Sequence, residues 1–343
     1  MSTQPARTRG DSQVLLELEG LRSHFFTDEG IAPAVDGVSL SVRQGQTLGL
    51  VGESGCGKSV TALSIMGLLP NPGRVVAGRV LFRGEDLLRK NDDELRELRG
   101  GQIAMIFQEP MTALNPVFTV GSQIVEAIEL HTDLDRDAAR AHAVAMLGRV
   151  GIPKPEQRAH DFPHQLSGGM QQRVMIAMAM SCRPALLIAD EPTTALDVTI
   201  QAQILDLIGA LQSESGMGLL LITHDLAVVA ETAQRVAVMY AGKIVEQGDV
   251  KDFFRLPLHP YSIGLLRALP GQAGVVQPAP GQRLATIQGI VPNATRFPSG
   301  CRFRTRCPLA TERCALEEPS LEAAGPGSSH SVACHFPREA QVL

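Results

Sequence analysis

The residues best suited to chemistry in this 343-residue chain are the eight from Gly52 to Ser59. They match the G-x-x-x-x-G-K-[ST] pattern that binds the phosphates of a nucleoside triphosphate. Glycines at positions 52, 55 and 57 allow the backbone to turn tightly and to direct its N–H groups inward. Lys58 is predicted to contact the β- and γ-phosphates, and Ser59 is predicted to bind Mg²⁺.

The segments on either side of this loop supply the strand and the helix that the motif requires. Residues 47–51 are apolar and predict a short buried strand, and residues 60–66 predict the start of a helix. The N-terminus of that helix carries partial positive charge and attracts phosphate. A plain glycine turn is the alternative interpretation, but the four fixed positions and both flanks favour a nucleotide site.

Two acidic residues follow a second apolar strand, predicted at residues 185–189. Asp190 has the position at which a carboxylate coordinates Mg²⁺ in phosphate-loop ATPases. Glu191 comes next, and it is placed to orient or deprotonate an attacking water. Two acids that merely end a strand are the simpler alternative, and the phosphate loop in the same chain argues against it.

A further segment, residues 166–172, predicts a helix N-terminus that a phosphate can approach. Ser167 is the predicted N-cap of an apolar helix. Small residues follow it, so the backbone N–H groups of this turn are accessible to an anion.

These motifs are predicted to lie in an α/β fold. Alternating residues at 14–26 and 35–42 predict antiparallel strands beside a mostly parallel sheet covered by helices. Further buried strands are predicted at 103–107 and 219–223, and helical spacing recurs between 119 and 151. The predicted fold class is a phosphate-loop NTPase core with an antiparallel β subdomain, a helical subdomain and a small irregular C-terminal extension that contains cysteines.

Composition limits the function classes. The net charge of −5 argues against general nucleic-acid binding, and no apolar run approaches the 18 residues of a membrane span. The polar first residues lack the apolar region of a signal peptide, which favours a cytoplasmic protein. The predicted organisation is a flexible N-terminus (1–13), an ATPase domain (14–265) with its helical subdomain at about 109–184, and the extension (266–343), in which prolines and glycines from 270 indicate a linker.

The order of these motifs resembles that of the ATP-binding subunits of ABC transporters. The resemblance covers almost the whole chain and implies an ATPase in which two cassettes close head-to-tail over two ATP molecules with Mg²⁺. The residues it assigns to ATP binding in one cassette are Phe25, Gly52, Glu53, Ser54, Gly55, Cys56, Gly57, Lys58, Ser59, Val60, Gln108 and Asp190. Those it assigns to the nucleotide of the partner cassette are Ser167, Gly168, Gly169 and Gln171.

The resemblance also implies individual roles. The catalytic residues would be Lys58, Gln108, Glu191 and His224, and the Mg²⁺ ligands would be Ser59, Gln108 and Asp190. Gln108 would link the nucleotide to the transmembrane partner, His224 would contact the γ-phosphate, and Asp197 would help to join the two cassettes. From the residues alone, His224 is equally consistent with a structural histidine. The adenine would stack on Phe25, with Phe26 or a plain core phenylalanine as the alternatives.

The C-terminal part resembles the dipeptide and oligopeptide import group, which also contains nickel importers. The matching segments are 108–116, 258–270, 289–292 and 298–303. The implied function is ATP hydrolysis that powers di- or oligopeptide import across the cytoplasmic membrane. The alternatives are uptake of nickel or another small solute, and a soluble ABC ATPase that acts on DNA or ribosomes. The single cassette and the absence of a basic surface argue against this last class.

The implied partners are two transmembrane permease subunits, a second ABC ATPase subunit of a different chain and an extracytoplasmic substrate-binding protein, with no nucleic acid. The implied location is peripheral, at the cytoplasmic face of the cell membrane.

Four of the six cysteines lie in the extension, at positions 301, 307, 314 and 334. Their spacing differs from the close pairs of usual zinc sites. Four thiolates on loops can hold a [4Fe–4S] cluster, and Pro308 follows Cys307 as a proline follows a ligand cysteine in ferredoxins. Members of the dipeptide and oligopeptide import group that have these four cysteines, here Cys301, Cys307, Cys314 and Cys334, resemble iron–sulfur proteins. Zinc, mixed ligation with His330 or His335, and free or oxidised thiols are the alternatives.

Overall fold

The computed structural model describes residues 13–109, 113–194, 197–269 and 286–337. Outside the described residues lie nearly all of the predicted N-terminal segment 1–13, residues 110–112 of the segment 108–116, most of the predicted linker after residue 269, and Ala195 and Leu196, which precede Asp197.

The strands of the described ranges, in chain order, are β1 (Val14–Thr27), β2 (Gly30–Arg43), β3 (Thr47–Val51), β4 (Gly73–Phe82), β5 (Glu85–Asp86), β6 (Ile103–Ile106), β7 (Leu186–Asp190), β8 (Gly218–Thr223), β9 (Arg235–Tyr240), β10 (Lys243–Asp249), β11 (Glu322–Ala323) and β12 (Ser331–Val332).

The α-helices of the same ranges are α1 (Lys58–Met66), α2 (Asp92–Leu98), α3 (Val120–His131), α4 (Arg136–Arg149), α5 (Pro155–Arg158), α6 (Gly168–Met180), α7 (Val198–Ser215), α8 (Leu226–Thr232), α9 (Val250–Arg255), α10 (Pro260–Arg267) and α11 (Glu312–Leu316). The predicted helical stretch 119–151 is divided into α3 and α4, because Asp135 caps α4 by accepting a hydrogen bond from the Ala138 N–H.

The strands of the described part form two sheets. The smaller sheet is antiparallel, with the order β2-β1-β4-β5. The larger has the order β11-β12-β10-β9-β3-β8-β7-β6, and its five strands from β9 to β6 are parallel. This arrangement matches the predicted mixture of an antiparallel subdomain and a parallel core.

The topology determines where the functional residues meet. Strand β3, which precedes the phosphate loop, lies inside the parallel set next to β8, and β8 is followed by β7 and β6. Because the carboxyl ends of parallel strands meet at one edge of a sheet, residues just after β3, β6, β7 and β8 converge there.

The buried core has three parts. One lies between the parallel sheet and helices α3, α4 and α6 and includes Ile124, Leu147 and Val174. A second lies between the two sheets and includes Leu16 and Leu50. The third joins the β9–β10 hairpin to the extension, and in it Phe303 packs against Tyr240 and Tyr261 with ring centroids 5.1 and 5.4 Å apart.

The extension is more ordered than its irregular sequence pattern predicts. Strand β12 pairs antiparallel with β10, with Val332 opposite Glu246, and so it adds to the edge of the large sheet. The fully buried Glu246 carboxylate accepts hydrogen bonds from the N–H groups of Leu258 and His259, both at 2.8 Å, and lies 2.7 Å from His330 Nε2. One carboxylate therefore connects the sheet to two segments of the C-terminal part.

No helix in the described ranges combines the length and the apolar character that a membrane span needs.

Candidate functional site

The phosphate loop requires glycine for two reasons. Gly52, Gly55 and Gly57 have φ values of 157°, 77° and 110°, which ordinary side chains rarely adopt. In addition, a Cβ atom would come within 2.2 Å of the Met239 carbonyl oxygen at Gly52 and of the Ala34 carbonyl oxygen at Gly57. The loop is therefore packed tightly against its neighbours while it leaves its tip, at Ser54 and Gly55, exposed.

The lysine of the loop is buried, with 4% of its side chain exposed. Its Nζ donates hydrogen bonds to the carbonyl oxygens of Gly52 (2.8 Å) and Glu53 (3.1 Å) and lies 3.9 Å from the Sγ of Cys56, which is also buried. Lys58 therefore stabilises the loop and places a positive charge inside it. Ser59 and Val60, in the first turn of α1, are half-buried.

Asp190 and Ser59 provide the oxygen atoms that a divalent cation needs. Asp190 ends β7 and is buried, and its Oδ1 has no hydrogen-bond partner among the described residues. Burial raises the pKa of this carboxyl group, and a hydrogen bond with Ser59 lowers it less than burial raises it. A buried carboxylate oxygen without a partner beside a hydroxyl group fits Mg²⁺, which prefers oxygen ligands.

Glu191 has a strained backbone and a crowded carboxylate. Its φ is +45°, an uncommon value for a residue with a side chain, and its N–H donates to the Ile222 carbonyl oxygen at 2.8 Å. Gln108 Nε2 donates to Glu191 Oε2 at 3.3 Å, and His224 Nδ1 lies 3.3 Å from the same oxygen. Three residues that follow three different strands thus meet at one carboxylate.

Two more groups complete this cluster. The other oxygen of Glu191, Oε1, lies 4.0 Å from Lys58 Nζ. Thr194 donates its hydroxyl hydrogen to Glu191 Oε2 at 2.8 Å. Thr194 is absent from the predicted site, since a threonine in a turn carries no distinctive sequence signal. The structure therefore brings the four predicted catalytic residues together and adds one that fixes the carboxylate.

The predicted trans-acting segment begins α6 at the surface. Ser167 caps the helix by accepting a hydrogen bond from the Met170 N–H at 3.4 Å, and both Ser167 and Gly168 are exposed, whereas Gly169 is half-buried. Gln171 is buried, and its amide donates to the carbonyl oxygens of Pro163 (2.8 Å) and Leu166 (3.2 Å). In this conformation Gln171 therefore supports the loop before α6.

Asp197 begins α7 and is exposed. Its carboxylate accepts a hydrogen bond from the Ile200 N–H at 2.9 Å, so it acts as the N-cap of this helix. The neighbouring Val198 is 83% exposed. An exposed cap beside an exposed apolar side chain is consistent with the predicted contact to a second cassette.

The aromatic residues predicted to stack on adenine lie near the end of β1. The Phe25 ring lies against Gly73, where an added Cβ would come within 2.7 Å of it. The guanidinium carbon of Arg74 lies 4.1 Å from the centre of the Phe26 ring, a cation–π contact that covers this alternative candidate.

Known proteins resemble this chain along almost its whole length. The dipeptide transport ATP-binding protein DppD of Escherichia coli is 53% identical over 323 residues, which are 94% of this chain and 97% of DppD. The chain belongs to the ABC transporter ATP-binding proteins. DppD of Haemophilus influenzae is likewise 53% identical, over 328 residues, which are 95% of this chain and 97% of the relative.

Family models and solved structures agree with this membership. The ABC transporter model matches residues 35–194 of this ABC protein, and the model of the oligopeptide/dipeptide transporter C-terminal region matches residues 245–314. The dimeric, post-hydrolysis structure of the ATP-binding cassette MJ0796 with ADP and phosphate has a TM-score of 0.63 at 27% identity and covers 69% of this chain and 99% of its own. CbiO1 of Clostridium perfringens, from the transporter complex cbiONQ, has a TM-score of 0.59 at 28% identity over 71% of this chain and 91% of its own.

These comparisons confirm the predicted family, the α/β phosphate-loop fold and ATP hydrolysis as the activity of this ABC ATPase.

The four cysteines of the extension, Cys301, Cys307, Cys314 and Cys334, line one small pocket of the ABC ATPase together with Phe303, Leu309 and Phe336. None of the four forms a disulfide. Burial raises the pKa of Cys307 and Cys334 to about 11, so these groups are thiols at neutral pH. Within the described ranges, no group of three or more His, Cys, Asp or Glu side chains is arranged to hold a metal ion. Membership of the ABC transporter ATP-binding proteins confirms the prediction of ATP as the bound molecule, and a metal site in the extension stays a prediction.

Proposed function

We propose that this ABC ATPase powers the import of di- or oligopeptides across the cytoplasmic membrane. The observation that carries the proposal is the 53% identity, over 94% of the chain, to a dipeptide transport ATP-binding protein. The match of residues 245–314 to the C-terminal region of oligopeptide/dipeptide transporters supports it, because cassettes of other importers need not contain that region.

The proposed ATP site uses the residues that meet at the carboxyl ends of the parallel strands. The phosphate loop and the N-terminus of α1 bind the phosphates, with Lys58 on the β- and γ-phosphates. Ser59 and Asp190, with Gln108, would hold Mg²⁺, which would neutralise the charge that develops on the phosphates. The γ-phosphate is therefore proposed to bind beside Lys58 and Glu191, whose Nζ and Oε1 atoms lie 4.0 Å apart.

In the proposed hydrolysis step, Glu191 orients the attacking water and accepts its proton. Oε2 of Glu191 is held by Thr194, Gln108 and His224, so the carboxylate is oriented before ATP binds. The bond from the γ-phosphorus to the bridging oxygen breaks as the water oxygen attacks, and ADP and phosphate leave. Positioning and electrostatics supply most of the acceleration in such reactions.

Each proposed site is completed by a second cassette. Ser167 and Gly168 are exposed at a helix N-terminus and Gly169 is half-buried behind them, an arrangement that suits the γ-phosphate held by a partner. Gln171 supports that turn from inside, and Asp197 lies at the proposed contact between cassettes. The open and closed states of this pair form the two-state element that moves the membrane subunits.

The proposed assembly contains two transmembrane permease subunits, a second ATPase of a different chain and an extracytoplasmic peptide-binding protein. This chain would lie at the cytoplasmic face of the membrane. The division into an ATPase domain (14–265), its helical subdomain (about 109–184) and the extension (266–343) is part of the same proposal.

The test is peptide-stimulated ATP hydrolysis by the assembly purified from solubilised membranes and placed in liposomes. We expect binding protein loaded with a dipeptide to stimulate ATP turnover, and we expect Lys58→Ala to abolish this turnover. Lys90→Ala is the control and should leave the turnover unchanged, because Lys90 pairs with Glu85 in the antiparallel sheet region. Stimulation by nickel but not by peptides would replace the proposed cargo. Recovery of ribosomes without membrane subunits would overturn the transport function.

We further propose that the four cysteines of the extension hold a [4Fe–4S] cluster. The support is the position of all four side chains around one pocket; Cys301, Cys307 and Cys334 lie on loops, and Cys314 lies in the short helix α11. The sequence spacing of the four cysteines differs from the close pairs of usual zinc sites, whereas a [4Fe–4S] cluster accepts four thiolates from separate segments.

A bound cluster would cross-link the loops of the extension, and its cysteines would lose their protons on binding. The test is the visible absorption and iron content of anaerobically purified protein. We expect a brown protein whose broad absorption is lost in Cys301→Ser and kept in Cys182→Ser, a cysteine next to the Ala127 carbonyl oxygen in the helical region. A colourless protein that contains zinc would contradict the proposal.

A further inference from the structure

Two side chains from the C-terminal part hold one residue of the phosphate loop. The guanidinium group of Arg306 makes a two-pronged ion pair with the Glu53 carboxylate, with Nη1–Oε2 at 2.5 Å and Nη2–Oε1 at 3.0 Å. The backbone N–H of Glu53 donates to the hydroxyl oxygen of Tyr261 at 2.8 Å. Such paired contacts fix direction as well as distance.

Both of these side chains are themselves rigidly held. Only 4% of the Arg306 side chain is exposed, and it also donates to the carbonyl oxygens of Gln288 (2.9 Å) and Ile287 (3.3 Å). Its hydrogen bond to Glu53 raises the pKa of Arg306, so the group is always charged. Tyr261 is fully buried, and its ring centroid lies 4.8 Å from that of Tyr240. The contacts with Glu53 thus come from a fixed support.

The same residue, Glu53, is also bound from inside the loop. Its carbonyl oxygen accepts the hydrogen bond from Lys58 Nζ at 3.1 Å. The side chain, N–H and C=O of Glu53 are therefore each assigned to a different partner. A loop with glycines at 52, 55 and 57 has many accessible conformations, and fixing one of its residues lowers the entropy that nucleotide binding must remove.

We propose that Arg306, in the extension, and Tyr261, near the end of the ATPase domain, are positioning residues for the phosphate loop, and that through Arg306 the C-terminal extension preorganises the loop for Mg²⁺–ATP. The inference rests on the proposed assignment of Gly52–Ser59 as the nucleotide site. Arg306 directly precedes Cys307, so the cysteine pocket and the phosphate loop share one structural connection.

The first experiment measures binding of Mg²⁺–ATP that carries a methylanthraniloyl fluorophore to the full chain, and the ATPase kinetics of the membrane assembly. In Arg306→Gln we expect Kd and KM to rise about five- to tenfold, with kcat at saturating ATP within about twofold of the unchanged protein. Arg304→Gln is the matched control, because Arg304 is a neighbouring arginine that donates to the Ser299 carbonyl oxygen within the extension. This control variant should change neither Kd nor KM. An unchanged Kd in Arg306→Gln overturns the inference.

The second experiment is a double-mutant cycle. If Glu53 and Arg306 act as a pair, Glu53→Gln should weaken binding about as much as Arg306→Gln, and the double variant should be little worse than either. If the fold-changes in Kd of the two single variants multiply in the double variant, the two residues act independently, and the pairing is wrong. Should Arg306→Gln lose its cooperative thermal transition, Tyr261→Phe and Glu53→Gln carry the test, and normal binding by both would overturn the proposal.

Lys58→Ala distinguishes an error in the proposed nucleotide site from an error in the proposed role of the extension. If Lys58→Ala abolishes binding while Arg306→Gln and Glu53→Gln bind normally, the nucleotide site stands and the role of the extension is wrong. If Lys58→Ala binds the fluorescent nucleotide normally, the site assignment fails and the inference fails with it.

Discussion

His224 Nδ1 lies 3.3 Å from Oε2 of Glu191, across the end of β8. The two residues differ in exposure, because 62% of the His224 side chain is accessible and only 12% of the Glu191 side chain. His224 therefore reaches from the surface to a carboxylate that is already fixed from the inside by Thr194 and Gln108. His224 is therefore not a core histidine, and its contact with the γ-phosphate belongs to the proposed site.

The first prediction concerns His224→Ala. We expect kcat for ATP hydrolysis to fall by about 10- to 100-fold, because a hydrogen bond to a charged group contributes about 1.5–3 kcal/mol. ATP affinity should change by less than about threefold, since most of the binding contacts belong to the phosphate loop. The check is steady-state kinetics of the assembly, with His160→Ala, an exposed histidine of the helical region, as control. Normal turnover in His224→Ala would show that this histidine is structural.

The second prediction concerns Asp190→Asn. Burial raises the pKa of Asp190, which means that the charged form costs folding free energy at neutral pH, and a neutral amide removes that cost. The nucleotide-free variant should therefore unfold about 1–3 °C higher than the unchanged protein. The extra stabilisation by ATP with Mg²⁺ over ATP with EDTA should disappear.

Thermal unfolding with and without Mg²⁺ measures both effects of Asp190→Asn. Asp206→Asn, at an exposed aspartate on α7, is the control and should keep the Mg²⁺-dependent stabilisation. A Mg²⁺-dependent shift that survives in Asp190→Asn would remove Asp190 from the metal site.

The third prediction concerns the pH dependence of stability at Asp36. Burial pushes the pKa of Asp36 up, but Lys243 and Arg302 together hold it below its usual value. A lowered carboxyl pKa contributes stability that is present above the unfolded-state pKa of about 4 and is lost as the pH falls through the folded-state pKa. At pH 7, Asp36→Asn should therefore lower the free energy of unfolding by about 1 kcal/mol.

Denaturant unfolding between pH 7 and pH 3 tests this prediction. The difference between Asp36→Asn and the unchanged protein should shrink as the pH falls from about 4, where the carboxyl group becomes neutral in the unfolded state, through the lower folded-state pKa, below which it is neutral in both states. Asp93→Asn is the control, because its exposed pair with Arg96 should contribute little. A difference that stays constant down to pH 3 would show that the pair of Asp36 with Arg302 is not the cause.

Much of the site follows from the sequence because its parts are local. The strand, the glycine loop and α1 are adjacent in the chain, and Asp190 and His224 each follow an apolar strand. Parallel pairing of β3, β8 and β7 then brings them to one edge without further information. Gln108 and Glu191 are 83 residues apart in the sequence, and the same rule places their side chains next to each other in space.

The rest depends on contacts that leave no periodic pattern. Arg306 and Glu53 are 253 residues apart, and an arginine among several in a loop does not reveal its partner. The two residues of β12 are too few to show alternation, although their pairing adds the extension to the sheet edge. In the sequence Thr194 is an ordinary turn residue, and only the structure shows that its hydroxyl group donates to Glu191.

The most direct measurement of the central claim is ATP turnover by Glu191→Gln, which replaces the carboxylate with a neutral group of the same shape. We predict that the variant binds Mg²⁺–ATP within about threefold of the unchanged protein, while its turnover falls by at least about 100-fold, because the proton of the attacking water has lost its acceptor. Near-normal hydrolysis by Glu191→Gln would contradict the assignment of this carboxylate and the mechanism built on it.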